Sequence, residues 1–424
     1  MSEKRQETDD NSDIFLGKTL FNKYKIIKKI GEGSFGFIYE AQSINSNKLY
    51  AVKLENMIED QYILEDEALI LSYLNCNRIP KIKLFGYSEN YMVLIMELLG
   101  KSLDKILNEL PNKSMSIRCC CNIAYQLISI FEIIHSNNII HRDIKPSNIA
   151  LGLGANYKYL YILDFGLSRK YRSSTTKKHL PFTKDNPLVG NARYSSINAL
   201  EGCTQSRRDD LESIGYLIIY LILGKLPWQG IVSNKKESKF YKILEIKKNT
   251  SPEELCKGLP PQFVEYVKYT RNLGYETDPD YNYLKNLFLS VLKSQNYEFD
   301  YFYDWDPTTF PGNDINTISN RLYNYNNYLT IPKLFSKILE IEKERKEYGG
   351  NFEFEKFVFD IEEESNYNIS KRTKRNELES DLDLFGYSNS MTPYAHPKKK
   401  VKNKTCMPCQ PKAYKNEDDC CSIW

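Results

Sequence analysis

Apolar and polar residues alternate in the early part of the chain, and apolar residues recur at helical spacing further on. From Tyr24 the stretch Tyr24-Lys25-Ile26-Ile27-Lys28-Lys29-Ile30 reads as a strand; a Gly-rich turn follows, and Phe37-Ile38-Tyr39-Glu40-Ala41 reads as a second strand. Leu49 to Leu54 alternates as a half-buried third strand, Leu64 to Leu74 has a helical pattern, and Ile82 to Tyr87 and Tyr91 to Met96 are apolar strands. Beyond Gly100 the spacing turns mostly helical, with helices expected over Ile117 to His135 and Asp209 to Leu223. That order predicts an α+β fold of two lobes. A small β-rich lobe is joined by one crossing, Glu97-Leu98-Leu99-Gly100, to a larger helical lobe, and the cleft between them is where a ligand would bind.

The patterning divides the chain. Residues 1–20 are polar and expected to be disordered; 21–306 form the folded body, with lobes at 21–97 and 101–306; 307–424 form a partly disordered tail. Within the tail a helix is expected over 332–347, with Pro332 in its first turn and Gly349-Gly350 at its end. Leu334, Phe335, Ile338, Leu339 and Ile341 give that helix one apolar side.

Composition adds limits. With 424 residues, 41% of them hydrophobic and 27% charged, the chain is long enough for a substantial core and reads as a soluble globular protein with a polar tail. A net charge of +3 is too small to argue for general nucleic-acid binding. The apolar run Ile214 to Leu223 is well short of the about 20 residues of a membrane-spanning helix. The N-terminus is polar and of mixed charge, so an intracellular, cytoplasmic location is expected. Of ten cysteines, Cys119-Cys120-Cys121 falls in a helical pattern as small buried apolar residues, while Cys406, Cys409, Cys420 and Cys421 crowd the end.

The chemistry concentrates in His141-Arg142-Asp143-Ile144-Lys145-Pro146-Ser147-Asn148, followed by Asp164-Phe165-Gly166. Asp143 is a candidate proton acceptor for a hydroxyl nucleophile, Lys145 a cation for a transferring phosphoryl group, and Asn148 and Asp164 candidate ligands for Mg²⁺. Each residue alone would be an ordinary loop polar group. Together and in this order they are the parts that phosphoryl transfer from a nucleotide requires.

A second group belongs to the β-rich lobe. Gly31-Glu32-Gly33-Ser34-Phe35-Gly36 matches GxGxxG, which serves dinucleotide folds and ordinary hairpins as well. Here a strand follows the last Gly rather than a helix, which favours a hairpin flap over phosphates, with Ile30 and Ile38 flanking it. Lys53, in Ala51-Val52-Lys53, would meet the α- and β-phosphates, held there by Glu67, with Glu65 the competing partner. Met96 would border an adenine site, and the backbone of Glu97 and Leu99 would hydrogen-bond the base. Asp210 is expected to accept backbone N–H groups of the loop around Asp143, a role compatible with also capping its own helix.

The chain resembles the casein kinase 1 family of Ser/Thr protein kinases over Tyr24 to Asp306. Ala192-Arg193-Tyr194-Ser195-Ser196-Ile197-Asn198 stands where most kinases carry Ala-Pro-Glu, and Ser-Ile-Asn is that family's hallmark. Gln205-Ser206-Arg207-Arg208-Asp209-Asp210, Leu226-Pro227-Trp228-Gln229-Gly230 and Phe302-Tyr303-Asp304-Trp305 are also similar to it. The resemblance implies a bilobal protein-kinase fold, ATP and Mg²⁺ as cofactors, and protein substrates with acidic or phosphorylated residues upstream of the target Ser/Thr. It also implies an anion site at Gly190, Arg193 and Lys239, although Lys239 reads equally as part of a solvated charged helix face. Ser147, Asn191 and Asn186 depart from the family pattern, which usually has Asp, Thr and Lys there. The competing class is a catalytically silent kinase-fold scaffold that binds partners through its tail.

In the tail, Ser365 and Ser380 each follow an acidic residue three positions earlier, so autophosphorylation feeding back on Arg193 is one expectation and a solvated acidic linker the other. Pro397 to Lys404 is strongly basic and precedes Cys420 and Cys421. Lipidation of these cysteines beside the basic run would attach the chain to a membrane surface; nuclear import through the lysines and a Cys-based zinc site are the alternatives.

Overall fold

The computed structural model describes residues 14–33, 36–57, 63–74, 76–232, 236–305 and 358–360. Ser34, Phe35, the expected tail helix 332–347, Ser365, Ser380, the basic run and the terminal cysteines lie outside the described residues.

The small lobe is a sheet built from β1 (Thr19–Leu20), β2 (Tyr24–Gly33), β3 (Gly36–Ser43), β4 (Leu49–Asn56), β5 (Ile82–Ser88) and β6 (Tyr91–Glu97). One helix, α1 (Ile63–Tyr73), crosses it. The strand order is β1-β2-β3-β4-β6-β5, all pairings antiparallel. Residues alternate between the two faces of a strand. In β4, Val52 and Leu54 join Phe15, Leu20, Tyr24, Tyr39 and Ile95 in one apolar cluster. Ala51 lies in the other, with Leu64 and Ala68 of α1. The same alternation puts Lys53 on the α1 face of the sheet.

The expected boundary at residue 21 is corrected by the first elements. Phe15 is buried, its ring edge-on to Tyr91 with centroids 4.8 Å apart, and β1 pairs with β2 through Thr19–Lys25 and Leu20–Tyr24. Isolated apolar residues in a polar segment supplied this contact, and composition averaged them away.

The large lobe begins after the crossing. Its elements are α2 (Leu103–Glu109), α3 (Ile117–Ser136), β7 (Ile139–Ile140), β8 (Ile149–Leu151), β9 (Leu160–Ile162), β10 (Arg169–Lys170), α4 (Ile197–Leu200), α5 (Arg207–Leu223), α6 (Lys236–Asn249), α7 (Pro252–Leu255), α8 (Pro261–Asn272) and α9 (Tyr281–Ser294). Helix α3 is long and apolar enough to cross a membrane by length and composition, yet 83% of that window is buried inside the fold, so it is the core helix here. Its three cysteines, Cys119 to Cys121, are fully buried, and burial pushes the thiols up, that of Cys121 to about 12. Asp304 closes the lobe by accepting from Ser116 N and Ser116 Oγ, both at 2.6 Å, at the N-terminus of α3.

Two further corrections concern helix and tail. Helix α5 starts at Arg207, with Ser206 as its N-cap and Asp209 accepting from Ser206 N at 2.7 Å, so Asp210 is not the cap. The tail also contributes a strand, β11 (Val358–Asp360), which pairs antiparallel with edge strand β5 through Val358–Gly86, Phe359–Phe85 and Asp360–Leu84. An edge strand presents unpaired N–H and C=O groups, and β11 covers part of that row.

Candidate active site

The site lies where β4 and α1 meet the loops around β8 and β9. Lys53 Nζ is 2.7 Å from Glu67 Oε2 and 2.9 Å from Asp164 Oδ1, an ion-pair triad that joins strand, helix and large lobe. Glu67 is the partner, while Glu65, the alternative, is turned to the Tyr87 hydroxyl instead. The second oxygen of Glu67 accepts the Phe165 N–H at 3.2 Å, so one carboxylate holds both the cation and the Asp164–Gly166 turn.

Burial disfavours the Lys53 ammonium, but the charges of Asp164 and Glu67 outweigh it and hold its pKa above the ordinary lysine value. Burial likewise opposes ionisation of Asp164, and Lys53 and Lys145 overcome it, leaving the carboxyl at about 2. Glu67 feels opposing pulls: burial raises its pKa, Lys53 lowers it and Asp164 raises it, with a net upward result. Its Oε2 nonetheless lies 2.7 Å from the Lys53 ammonium. The direct contact to a cation held charged decides for the ionised pair.

The large-lobe groups are set by a short hairpin. Asn148 precedes β8 and Asp164 follows β9, and the Ile149–Ile162 register together with Leu163 N donating to Asn148 O (2.9 Å) holds the two segments side by side. Asp143 is buried; its Oδ2 lies 2.7 Å from Lys145 Nζ and accepts from Asn148 Nδ2 at 3.1 Å, and its Oδ1 accepts from Asn191 N at 3.0 Å. His141 is fully buried, with Nε2 donating to Leu163 O (3.0 Å) and Nδ1 accepting from Asp143 N (3.2 Å); these partners assign its tautomer. Arg142 and Asp164 both have left-handed backbones, with φ of +69° and +62°. Such conformations persist in non-Gly residues only where surrounding contacts enforce them.

A family model described as a protein kinase domain matches residues 24–278. The chain belongs to the protein kinase family. Two lobes, a β-rich one and a helical one, are the arrangement that family membership implies, and so is the use of ATP, usually with Mg²⁺.

The kinase residues present fit a divalent ion. Among the described residues Asn148 Oδ1 is a buried oxygen with no hydrogen-bond partner, and Asp164 supplies a carboxylate held ionised close by. Oxygen donors of these types are what Mg²⁺ takes. On the nucleotide side, Gly31 pairs with Ile38 and Gly33 ends β2 across from Gly36, and a Cβ on Gly36 would lie 1.9 Å from Leu54 O, so the hairpin root admits only Gly. Ile30 is half-buried and Glu32 exposed on β2, Ile38 is buried opposite Lys53, and Met96 and Leu99 are buried beside the crossing. The Glu97 N–H already donates to Lys81 O (2.8 Å), which leaves any base contact from Glu97 to its carbonyl.

The three residues expected to form an anion site are not equivalent. Gly190 has φ of +86°, and a Cβ there would lie 2.2 Å from Arg142 O and 3.3 Å from Asp143 Oδ1, so a glycine here lets the backbone pass close to Asp143. Arg193 is fixed through its backbone, its N–H donating to Asn191 Oδ1 at 2.9 Å. Lys239 stands partly exposed near the start of α6. Asn186 spends its amide on Gly202 O at 2.7 Å.

Several supporting residues escaped the sequence reading. His135 is buried with Nε2 2.9 Å from Asp210 Oδ2 and Nδ1 2.7 Å from the Tyr281 hydroxyl. Burial lowers its pKa, so the neutral ring donates to Asp210 and accepts from Tyr281. Glu55 accepts from Ile63 N at the start of α1 (3.2 Å). The lone His at a helix end carries no distinguishing signal in sequence; for Glu55, the only hint was an acidic residue in an apolar strand.

Proposed function

We propose that this kinase transfers the γ-phosphoryl group of MgATP to Ser or Thr hydroxyls of proteins, in the manner of casein kinase 1, and favours sites with acidic or already phosphorylated residues upstream. The observation that carries the reading is the convergence of Lys53, Asp164 and Asn148 with the Asp143–Lys145 pair, every member of it present and buried or half-buried. Degenerate kinases usually lose one of these groups. Bound MgATP supplies the phosphoryl group and the charge neutralisation of its own oxygens.

The chain's residues then have defined work. Lys53, kept cationic, offers an ammonium to phosphate oxygens, and Glu67 keeps it from collapsing onto Asp164 alone. Asp143 orients a substrate hydroxyl and takes its proton at a carboxylate oxygen, and Lys145 stabilises the charge that develops beside it. Asn148 Oδ1 and the Asp164 carboxylate would hold the metal.

The subfamily is supported by how the 196–198 segment is anchored. Ser196 caps α4 and donates to Asp209 Oδ1 (2.5 Å), and Ile197 N donates to Glu212 Oε1 (2.9 Å), so acidic residues of α5 hold a segment that lacks Ala-Pro-Glu. Acidic or primed-site preference rests on Arg193 and Lys239 as cations suited to phosphate. A radiolabelled ATP assay on acidic and prephosphorylated peptides, with Asp143→Asn as control, tests the activity. Wild type no better than the mutant would favour the scaffold. Membrane attachment through the basic run and Cys420 and Cys421 is part of the same proposal, and fractionation of wild type against Cys420→Ser/Cys421→Ser tests it.

A further inference from the structure

Lys247 is fully buried in the last turn of α6, an unusual place for an ammonium. Its Nζ donates to Ala192 O at 3.0 Å and to Ser195 O, and it lies 4.6 Å and 4.8 Å from the ring centroids of Tyr216 and Trp228. Trp228 in turn donates its indole N–H to Arg193 O at 2.7 Å. Three carbonyls of one short segment are therefore taken by two side chains from outside it. The same segment is tied to the base at its other end. Asn191 N donates to Asp143 Oδ1, Asn191 O accepts from Ser195 N and Ser195 Oγ, and Asn191 Oδ1 accepts from Arg193 N.

We propose that Lys247, with Trp228, clamps residues 191–196 into a platform for the substrate peptide, making Lys247 a positioning residue for that substrate and not for ATP. The inference rests on the protein-kinase reading above and deepens it. Stability alone is a poor reason for the arrangement, because apolar residues of similar volume generally serve a core as well as a buried charge does. What the ammonium adds is direction. It has N–H groups enough for both carbonyls, and two aromatic faces that favour a cation between them. Burial pushes its pKa down, Glu212 on α5 pulls it up and Arg271 on α8 pushes it down again. Even the neutral amine keeps two N–H donors, so the clamp holds in either protonation state.

The test uses the full chain with Lys247→Met, which keeps length and apolar stem, and Trp228→Phe, which removes the indole N–H and leaves a smaller aromatic face beside Lys247. Peptide KM is expected to rise about tenfold in Lys247→Met and less in Trp228→Phe, with ATP KM within about twofold of wild type. Amide hydrogen exchange over 191–196 should quicken in both. Peptide KM unchanged in both soluble variants, or exchange unchanged, overturns the clamp. If Lys247→Met does not fold, Trp228→Phe decides alone by the same two readouts. A wild type inactive on every peptide would instead sink the kinase reading, and exchange would still judge the clamp.

Discussion

Asp210 Oδ1 accepts the backbone N–H of Arg142 at 2.9 Å, and Asp210 Oδ2 accepts that of His141 at 2.8 Å. The left-handed turn at Arg142, φ +69°, is thereby held from beneath by one buried carboxylate. The hydrogen bond from His135, joined by that from the Arg142 backbone N–H, outweighs the burial that would raise the Asp210 pKa, so it stays ionised and acceptor-only. Asp210→Ala would strand two buried amides and the His135 N–H. The expected cost is about 3 kcal/mol of stability, with kcat lowered by far more than ATP KM changes. Urea unfolding and steady-state kinetics on the same preparation check it.

Asp143 keeps its position through Asn191 N, Asn148 Nδ2 and Lys145 Nζ, so an isosteric change should leave the fold intact. Asp143→Asn removes the proposed proton acceptor while retaining the shape. We expect kcat to fall by about 10³-fold with the affinity for MgATP nearly unchanged. Calorimetric nucleotide titration beside a turnover assay separates the two quantities; weakened ATP binding of the same size would contradict the assigned role.

Much of this site could be read from the sequence because its parts are contiguous. Asp143, Lys145 and Asn148 sit on one loop, and a short hairpin returns the chain to Asp164, so spacing alone was informative. The strands of the small lobe were legible by alternation, and α3 and α5 by apolar spacing. Helix α9 is hard to read although Leu284, Leu287, Phe288, Val291 and Leu292 follow helical spacing, because exposed Tyr, Asn and Lys residues break up the stretch. Strand β11, Val358-Phe359-Asp360, is too short to show a pattern within a tail judged by composition. Lys247 could not be read at all. One of two adjacent lysines at a helix end has no mark of burial until α4, α5 and α8 close around it.

Gly190 offers a sharper probe of how closely its segment approaches Asp143. Its φ of +86° suits only Gly, and a Cβ would meet Arg142 O at 2.2 Å, backbone against which nothing can yield. Gly190→Ala should cost about 2 kcal/mol and shift Asn191 N away from Asp143, so peptide turnover drops about 100-fold while ATP binding persists. Thermal unfolding and kinetics with peptide and ATP varied separately measure these effects. Retention of wild-type turnover would show that the Gly190–Arg142 contact is dispensable.

Glu55 provides a pH signature. It is 5% exposed on β4, accepts from Ile63 N at the start of α1, and burial raises its carboxyl to about 8 despite the opposing charge of Lys53. In the unfolded chain a glutamate titrates near about 4.3. Between those values the native state holds a proton that the unfolded state has released, so stability falls as pH rises, by up to ~1.4 kcal/mol per unit. Below the unfolded value both states are protonated and the full contribution is present; above about 8 the loss is complete. Glu55→Gln keeps the amide oxygen for Ile63 N and removes the titration. Urea midpoints at pH 5.5 and pH 8 should therefore differ less in the variant than in wild type. A residual slope of the same sign is expected from Asp209, which burial raises to about 7. Equal slopes in the two proteins would mean that Glu55 is ionised in the native state throughout that range.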